Sequence, residues 1–216
     1  MDALVAFAAA LLALRLAGLL ARRWRQTRRP ELAAWAWSLA AYAVAAGAIA
    51  WGEAAQWDAR AFRVYYAAGA LLTVPLLAVG SLLLAGVRRA AYAGCVAVGL
   101  GIGVALVMPV RGAFALHGIP AAQDHLGWTP RILAIAFNSV GTLAVVGIAL
   151  RSLRRRPLGN GLIVLGVAAA ALGSGLAGLG AGGAAIGIAV GVALLYAGFV
   201  TPSRPFTKHS RLLNRG

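Results

Sequence analysis

Seven stretches of this chain, near residues 3–21, 32–51, 62–86, 91–109, 132–150, 160–179 and 184–200, are almost wholly apolar. A bilayer core ~30 Å thick is crossed by roughly 20 such residues when each rises 1.5 Å along a helix. In lipid every backbone N–H and C=O must be satisfied internally, and runs of this length do so as helices. The sequence therefore predicts an all-α polytopic membrane protein, with residues 1–200 forming seven transmembrane helices in one bundle and 201–216 a basic tail. The longest connections, 110–131 and the tail, are too short to build a soluble core. Met1 and Asp2 precede the first run without a basic residue, and no small-residue cleavage pattern follows it clearly, so a removable signal peptide is not expected.

Only 12% of the residues are charged, yet 20 basic side chains face 5 acidic ones, for a net charge of +15. In a soluble chain that excess would indicate nucleic acid. Here position decides. Arg22, Arg23, Arg25, Arg28 and Arg29 follow the first run; Arg88 and Arg89 follow the third. Arg151, Arg154, Arg155 and Arg156 follow the fifth, and Arg204, Lys208, Arg211 and Arg215 occupy the tail. These fifteen lie at one end of the bundle, whereas Arg60, Arg63, Arg111 and Arg131 share the other with Asp2, Glu53, Asp58 and Asp124. Basic residues in short loops stay cytoplasmic, which predicts an outside N-terminus and a cytoplasmic C-terminus. The charge then reports topology, and its natural partner is the anionic inner leaflet rather than nucleic acid; tail residues Arg204, Lys208, Arg211 and Arg215 are the candidate lipid contacts. Aromatic placement agrees, with Trp51, Trp57, Tyr65, Tyr66 and Trp128 at the outer ends and Trp24, Trp35, Trp37, Tyr92 and Tyr196 near the inner ones.

Glycines recur at intervals of four, as Gly99 and Gly103 in the fourth run and Gly183, Gly187 and Gly191 in the seventh, with Gly166, Gly173, Gly175 and Gly178 in the sixth. Such faces bring helices close, within one chain or in a homo-oligomer. The few polar residues in the runs are more telling. Trp35, Ser38 and Tyr42 share one face of the second. Arg63, Tyr66, Thr73 and Ser81 fall within about 100° on the third, which Pro75 is expected to kink. Asn138, Ser139 and Thr142 lie in the fifth. These faces either line a polar cavity opening outward or bond locally, hydroxyls to their own helix and Asn138 to a neighbour. Arg15 lies near enough to the inner end to snorkel there as an anchor. Arg60 and Arg63, beside Trp57 and Asp58, form the densest polar cluster of the outer face; they bind an anion or headgroup, or one of them pairs with Asp58.

Several chemistries lack their residues. The only lysine, Lys208, lies beyond the last run, so a retinal Schiff base is excluded. His117, His125 and His209 all lie outside the runs, which leaves no intramembrane haem ligand and no base for Ser174. One cysteine, Cys95, permits no internal disulfide or cysteine-based metal cluster, and a zinc site from His117, His125 and Asp124 lacks ligand spacing. The G-x-G-x-G at 99–103 sits mid-run without a preceding strand, so it is no nucleotide loop. No acid lies within a run, which disfavours proton-coupled transport. No cofactor, metal or catalytic constellation is implied. Arg28-Arg29-Pro30 and Arg155-Arg156-Pro157 hint at two three-span repeats around the fourth run, although positive loops alone account for the arginines.

Phe62-Arg63-Val64-Tyr65-Tyr66, then Gly69-Ala70-Leu71-Leu72, Val74-Pro75 and Gly80, preceded by Trp51-Gly52 and Trp57, resembles a pattern in uncharacterised seven-span membrane proteins of high-GC bacteria. The resemblance covers mainly the second and third runs; it implies a bacterial origin and carries no activity. The functional expectation is binding or facilitated passage of a small neutral or apolar ligand in an outward-facing cavity lined by Tyr42, Tyr66, Thr73 and Asn138. A non-transporting sensor or scaffold is the alternative. A lipid-modifying enzyme using Arg60 and Arg63 on a phosphate comes third, because it lacks a base.

Overall fold

A computed structural model describes residues 2–115 and 118–152, with helical residues 158, 159, 161–166, 168, 169, 187, 190, 191, 193–195, 197 and 198. Among the described residues all regular structure is helical, and five helices are long and apolar enough to cross a membrane. These are α1 (Asp2–Thr27), α2 (Pro30–Ala55), a composite third span, α5 (Ala90–Val107) and α7 (Trp128–Ser152). The third span joins α3 (Ala59–Tyr66), a π-helical segment (Ala67–Thr73) and α4 (Val74–Leu84). A short α6 (Ala122–His125) lies in the outer connection. Most of the expected sixth span and of the seventh, and the whole basic tail with Arg204, Lys208, Arg211 and Arg215, lie outside the described residues, as do Arg154–Arg156, His117 and Ser174.

α1, α2 and α7 are longer than hydropathy alone predicts, and this moves the arginines. α1 continues to Thr27, so Arg22, Arg23 and Arg25 ride on its last turns instead of in a loop. Cations there suit the negative end of the helix dipole. The connection to α2 is only Arg28 and Arg29, with Arg28 in the left-handed region at φ 55°. Pro30 then opens α2, where its missing N–H leaves no helical bond unmade. Arg29 Nε donates to Glu31 Oε1 at 2.7 Å, which neutralises a carboxylate otherwise buried at that end.

Packing settles in layers. At the end where α1 begins and α2 finishes, Ala6, Ile49, Trp57, Phe62, Tyr66, Met108, Leu126 and Ala134 form the largest cluster among the described residues. Leu16, Ala17 and Leu39 join α1 to α2 at mid-depth. Trp35, Leu77, Ala78 and Val145 meet Leu195 nearer the opposite end, with Leu20, Leu32 and Ile163 against them. Among the described elements α1–α7, α1 packs chiefly on α2, whereas the third span touches α2, α5 and α7 and is their hub.

Glycine explains how the hub is approached so closely, though only in part at the expected positions. A β-carbon on Gly80 would run into the Trp35 indole, and one on Gly52 would lie 2.5 Å from that of Trp57. Both tryptophans are buried against these notches and do not serve as interfacial anchors, which Trp37, Trp51, Tyr92 and Trp128 remain free to be. On α5 the packed glycines are Gly94, against Val79, and Gly101, 3.3 Å from the Leu71 carbonyl when given a β-carbon. Gly99 and Gly103, expected to pack within the chain or in a homo-oligomer, meet nothing within 4 Å among the described residues. Gly166 does approach the seventh-span region, where an added β-carbon would lie 2.8 Å from the Gly191 carbonyl.

Candidate functional site

Pro75 cannot donate to the carbonyl one turn before it, and its ring crowds that carbonyl. The helix widens just upstream, over Ala67–Thr73, and Pro75 sits in the first turn of α4 where its lack of an N–H is tolerated. Backbone oxygens in and beside this segment are then met by side chains. Thr73 Oγ1 donates to Ala68 O at 2.8 Å, closing the wide turn from within. Ser38 Oγ of α2 donates to Thr73 O at 2.7 Å. Asn138 Nδ2 of α7 donates both to Ala70 O and to Ala134 O of its own helix, each at 2.7 Å. Three spans thus converge on one break, and Gly141 brings α7 so near that a β-carbon would stand 2.7 Å from the Val74 side chain.

Tyr42 lies one helical turn outward from Ser38 on α2. Its hydroxyl is buried and has no hydrogen-bond partner among the described residues. An orphan hydroxyl in an apolar interior is unfavourable by about 1–3 kcal/mol, so this group is the exception at a level where the other polar side chains are used. Of the expected cavity residues, Tyr42, Thr73 and Asn138 therefore gather around the break, with Thr73 and Asn138 spent on carbonyls. Tyr66 directly precedes the π segment, about two turns from Thr73, with its hydroxyl donating to Pro130 O at 3.3 Å and its ring stacked on Phe62. Ser139 is exposed and Ser81 bonds back to Leu77 O, so neither joins the site.

The outer arginines are divided by the helix they share. Asp58 is the N-cap of α3, accepting from Ala61 N at 2.6 Å, and it makes no ion pair with Arg60 or Arg63 among the described residues. A carboxylate at a helix start is held by backbone N–H groups and the dipole, which outcompete a flexible arginine. Arg60 is exposed. Arg63 turns inward, and its Nη2 donates to Met108 O at 3.0 Å, a cation on the carboxyl end of α5. Arg131 lies over Trp128, 5.0 Å from the ring centre. The two residues proposed to share an anion thus point to different surroundings.

His125 is the feature of this face that hydropathy hides. It lies in the connection between α5 and α7 yet is only 6% exposed. Its ring stacks on Phe114 at 4.4 Å and meets the edge of Phe62 at 5.3 Å. Nδ1 donates to Arg111 O at 2.8 Å, while Arg111 N returns a bond to His125 O at 3.0 Å. The connection is thereby folded onto the third span. Phe114 and Leu126, large apolar residues in a connection between two spans, were the available signal. No group of three histidine, cysteine or acidic side chains able to hold a metal occurs among the described residues.

No protein family, curated protein or solved structure matches this chain. What it does must be argued from the broken span itself.

Proposed function

We propose that the chain binds a small neutral or apolar ligand and lets it pass, the ligand entering from the outer side and being held beside the π segment by the Tyr42 hydroxyl. The observation that carries this reading is the break in the third span with an unused donor next to it. Discontinuous helices at mid-depth are where membrane carriers place their sites, and π turns gather at functional positions. The remaining features fit. With no acid buried at mid-depth, the ligand needs no counter-charge, and Tyr42 offers it one hydrogen bond in otherwise apolar surroundings. Seven spans in a bacterial cytoplasmic membrane, with the N-terminus outside, complete the reading; it is supported by the exposed Arg22, Arg23, Arg25, Arg28, Arg88, Arg89 and Arg151 at one end, where anionic headgroups are the natural partner.

Uptake of glycerol, a hexose and indole into proteoliposomes tests it. At least one solute is expected to enter faster than into protein-free vesicles, and Tyr42→Phe to slow that entry several-fold while leaving the fold intact. Equal entry with wild type and Tyr42→Phe overturns the assignment of that residue, and no protein-dependent entry of any of the three removes the reading for these solutes. A sensing role has one observation in its favour, the outer connection clamped by buried His125. It predicts that His125→Ala increases proteolysis after Arg111 without changing any flux.

A further inference from the structure

α1 presents two opposite faces. Ala6, Ala9, Ala13, Leu16 and Ala17 are buried toward α2, and Leu4, Phe7, Leu11, Leu14 and Leu19 are exposed on the other side. Arg15 belongs to the exposed side. At 100° per residue it stands within about 20° of Leu4 and Arg22, directly away from the bundle. It is therefore an arginine among lipid-facing leucines, some 10 Å below Arg22 along the axis. No hydrogen bond or ion pair engages Arg15 or Arg22 among the described residues. A guanidinium at that depth is unfavourable unless it reaches the interface or meets an anion.

The space between them is open. Gly18 lies on the same side, one turn from each, and a β-carbon built there meets nothing within 4 Å. Arg15 can therefore extend along the helix toward Arg22 without a side chain in its way, in the direction that snorkelling requires. Two guanidinium groups then converge on one point just beneath the headgroups. An arginine fork matches the oxygens of a phosphate and delivers two parallel hydrogen bonds.

We propose that Arg15, Gly18 and Arg22 form a site for the phosphate of one anionic phospholipid, drawn slightly below the level of its neighbours. The phosphate is the anion a membrane supplies at this depth. A second copy of the chain is a poor source, because Glu31, the acid at this end, is buried and paired with Arg29, and Asp2, Glu53, Asp58 and Asp124 belong to the other end. The site deepens the reading of this end as a basic, headgroup-contacting belt and singles out one position on it. It applies to whichever leaflet adjoins Thr27.

Native mass spectrometry of the full chain in detergent, titrated with phosphatidylglycerol and with phosphatidylcholine, tests it. Wild type is expected to retain one phosphatidylglycerol in preference to phosphatidylcholine. Arg15→Gln and Arg22→Gln should each weaken that binding about fivefold or more, the ratio that ~1 kcal/mol per arginine near a surface represents. Gly18→Leu should weaken it with no change of charge, and Arg15→Lys should recover part of it. Arg89→Gln, which removes one charge of the same belt outside the fork, should weaken it clearly less than either Arg15→Gln or Arg22→Gln. Equal losses for Arg15→Gln and Arg89→Gln overturn the site while keeping a diffuse belt; no loss for any variant overturns both. Loss of a dimer on Arg15→Gln with lipid retention unchanged overturns it in favour of a protein partner.

Discussion

Ser38 and Asn138 make the same kind of bond from opposite sides of the third span, and the difference between them is instructive. Ser38 has one hydroxyl hydrogen and gives it to Thr73 O across the helix boundary. Asn138 has two amide hydrogens and divides them between Ala70 O and its own Ala134 O. Interhelical bonds of this type contribute about 0.6–2 kcal/mol. Ser38→Ala should therefore lower stability by about 1 kcal/mol and Asn138→Leu by roughly 1–2 kcal/mol, read as shifts in the thermal midpoint in detergent. Tyr42→Phe runs the other way: removing an unsatisfied hydroxyl should leave the midpoint unchanged or raise it, even where it impairs ligand passage. A fall comparable to that of Asn138→Leu would show that Tyr42 has a structural partner after all. Asn138 was legible as a residue requiring a bond; its acceptor was not, because residue types do not reveal which carbonyls a distant helix leaves unpaired.

At the level of the element, the positions of the five described spans follow from apolar length, and their ends do not. Hydropathy stops at the first arginine or acid, but the backbone continues to bond, so α1 reaches Thr27 and α2 reaches Ala55. The π segment defeats the sequence reading in a second way. A helical wheel drawn at 3.6 residues per turn through Arg63, Tyr66, Thr73 and Ser81 assumes one uninterrupted period. Seven residues of wider turn rotate everything beyond them, so Thr73 and Ser81 no longer share the face of Arg63. Pro75 gave the location of the break, and only the structure gives its extent. The glycines divide by contact. Gly80→Ala should destabilise by about 1–3 kcal/mol through overpacking against the buried Trp35 indole. Gly99→Ala, facing open space, should be neutral or mildly stabilising through helix propensity. Equal midpoints for the two variants would refute the packing described.

For the whole molecule, orientation is the prediction that matters most. A reporter that is active only outside the cytoplasm, fused after Gly216, should be silent, and one fused within 118–121 should be active. The reverse pattern would invert the proposed topology and move Tyr42's access to the other side. The charge asymmetry behind this expectation is a property of sequence alone, since loops are sorted before the bundle closes. The outer cluster around Phe62 and His125 is a product of closure and was legible only as scattered aromatic residues.

The unequal grip of the spans has a mechanical consequence. Among the described elements α1–α7, α1 leans chiefly on α2 through alanine methyls and Leu16, while the third span is clasped by three helices and tied by side-chain bonds. A load applied to the two ends of the described chain meets these elements as links of very different strength. Drawn from the N-terminus by a single-molecule probe, α1 should come away first as a separate low-force step, and the third span should yield last among the described spans, together with α2 and α7.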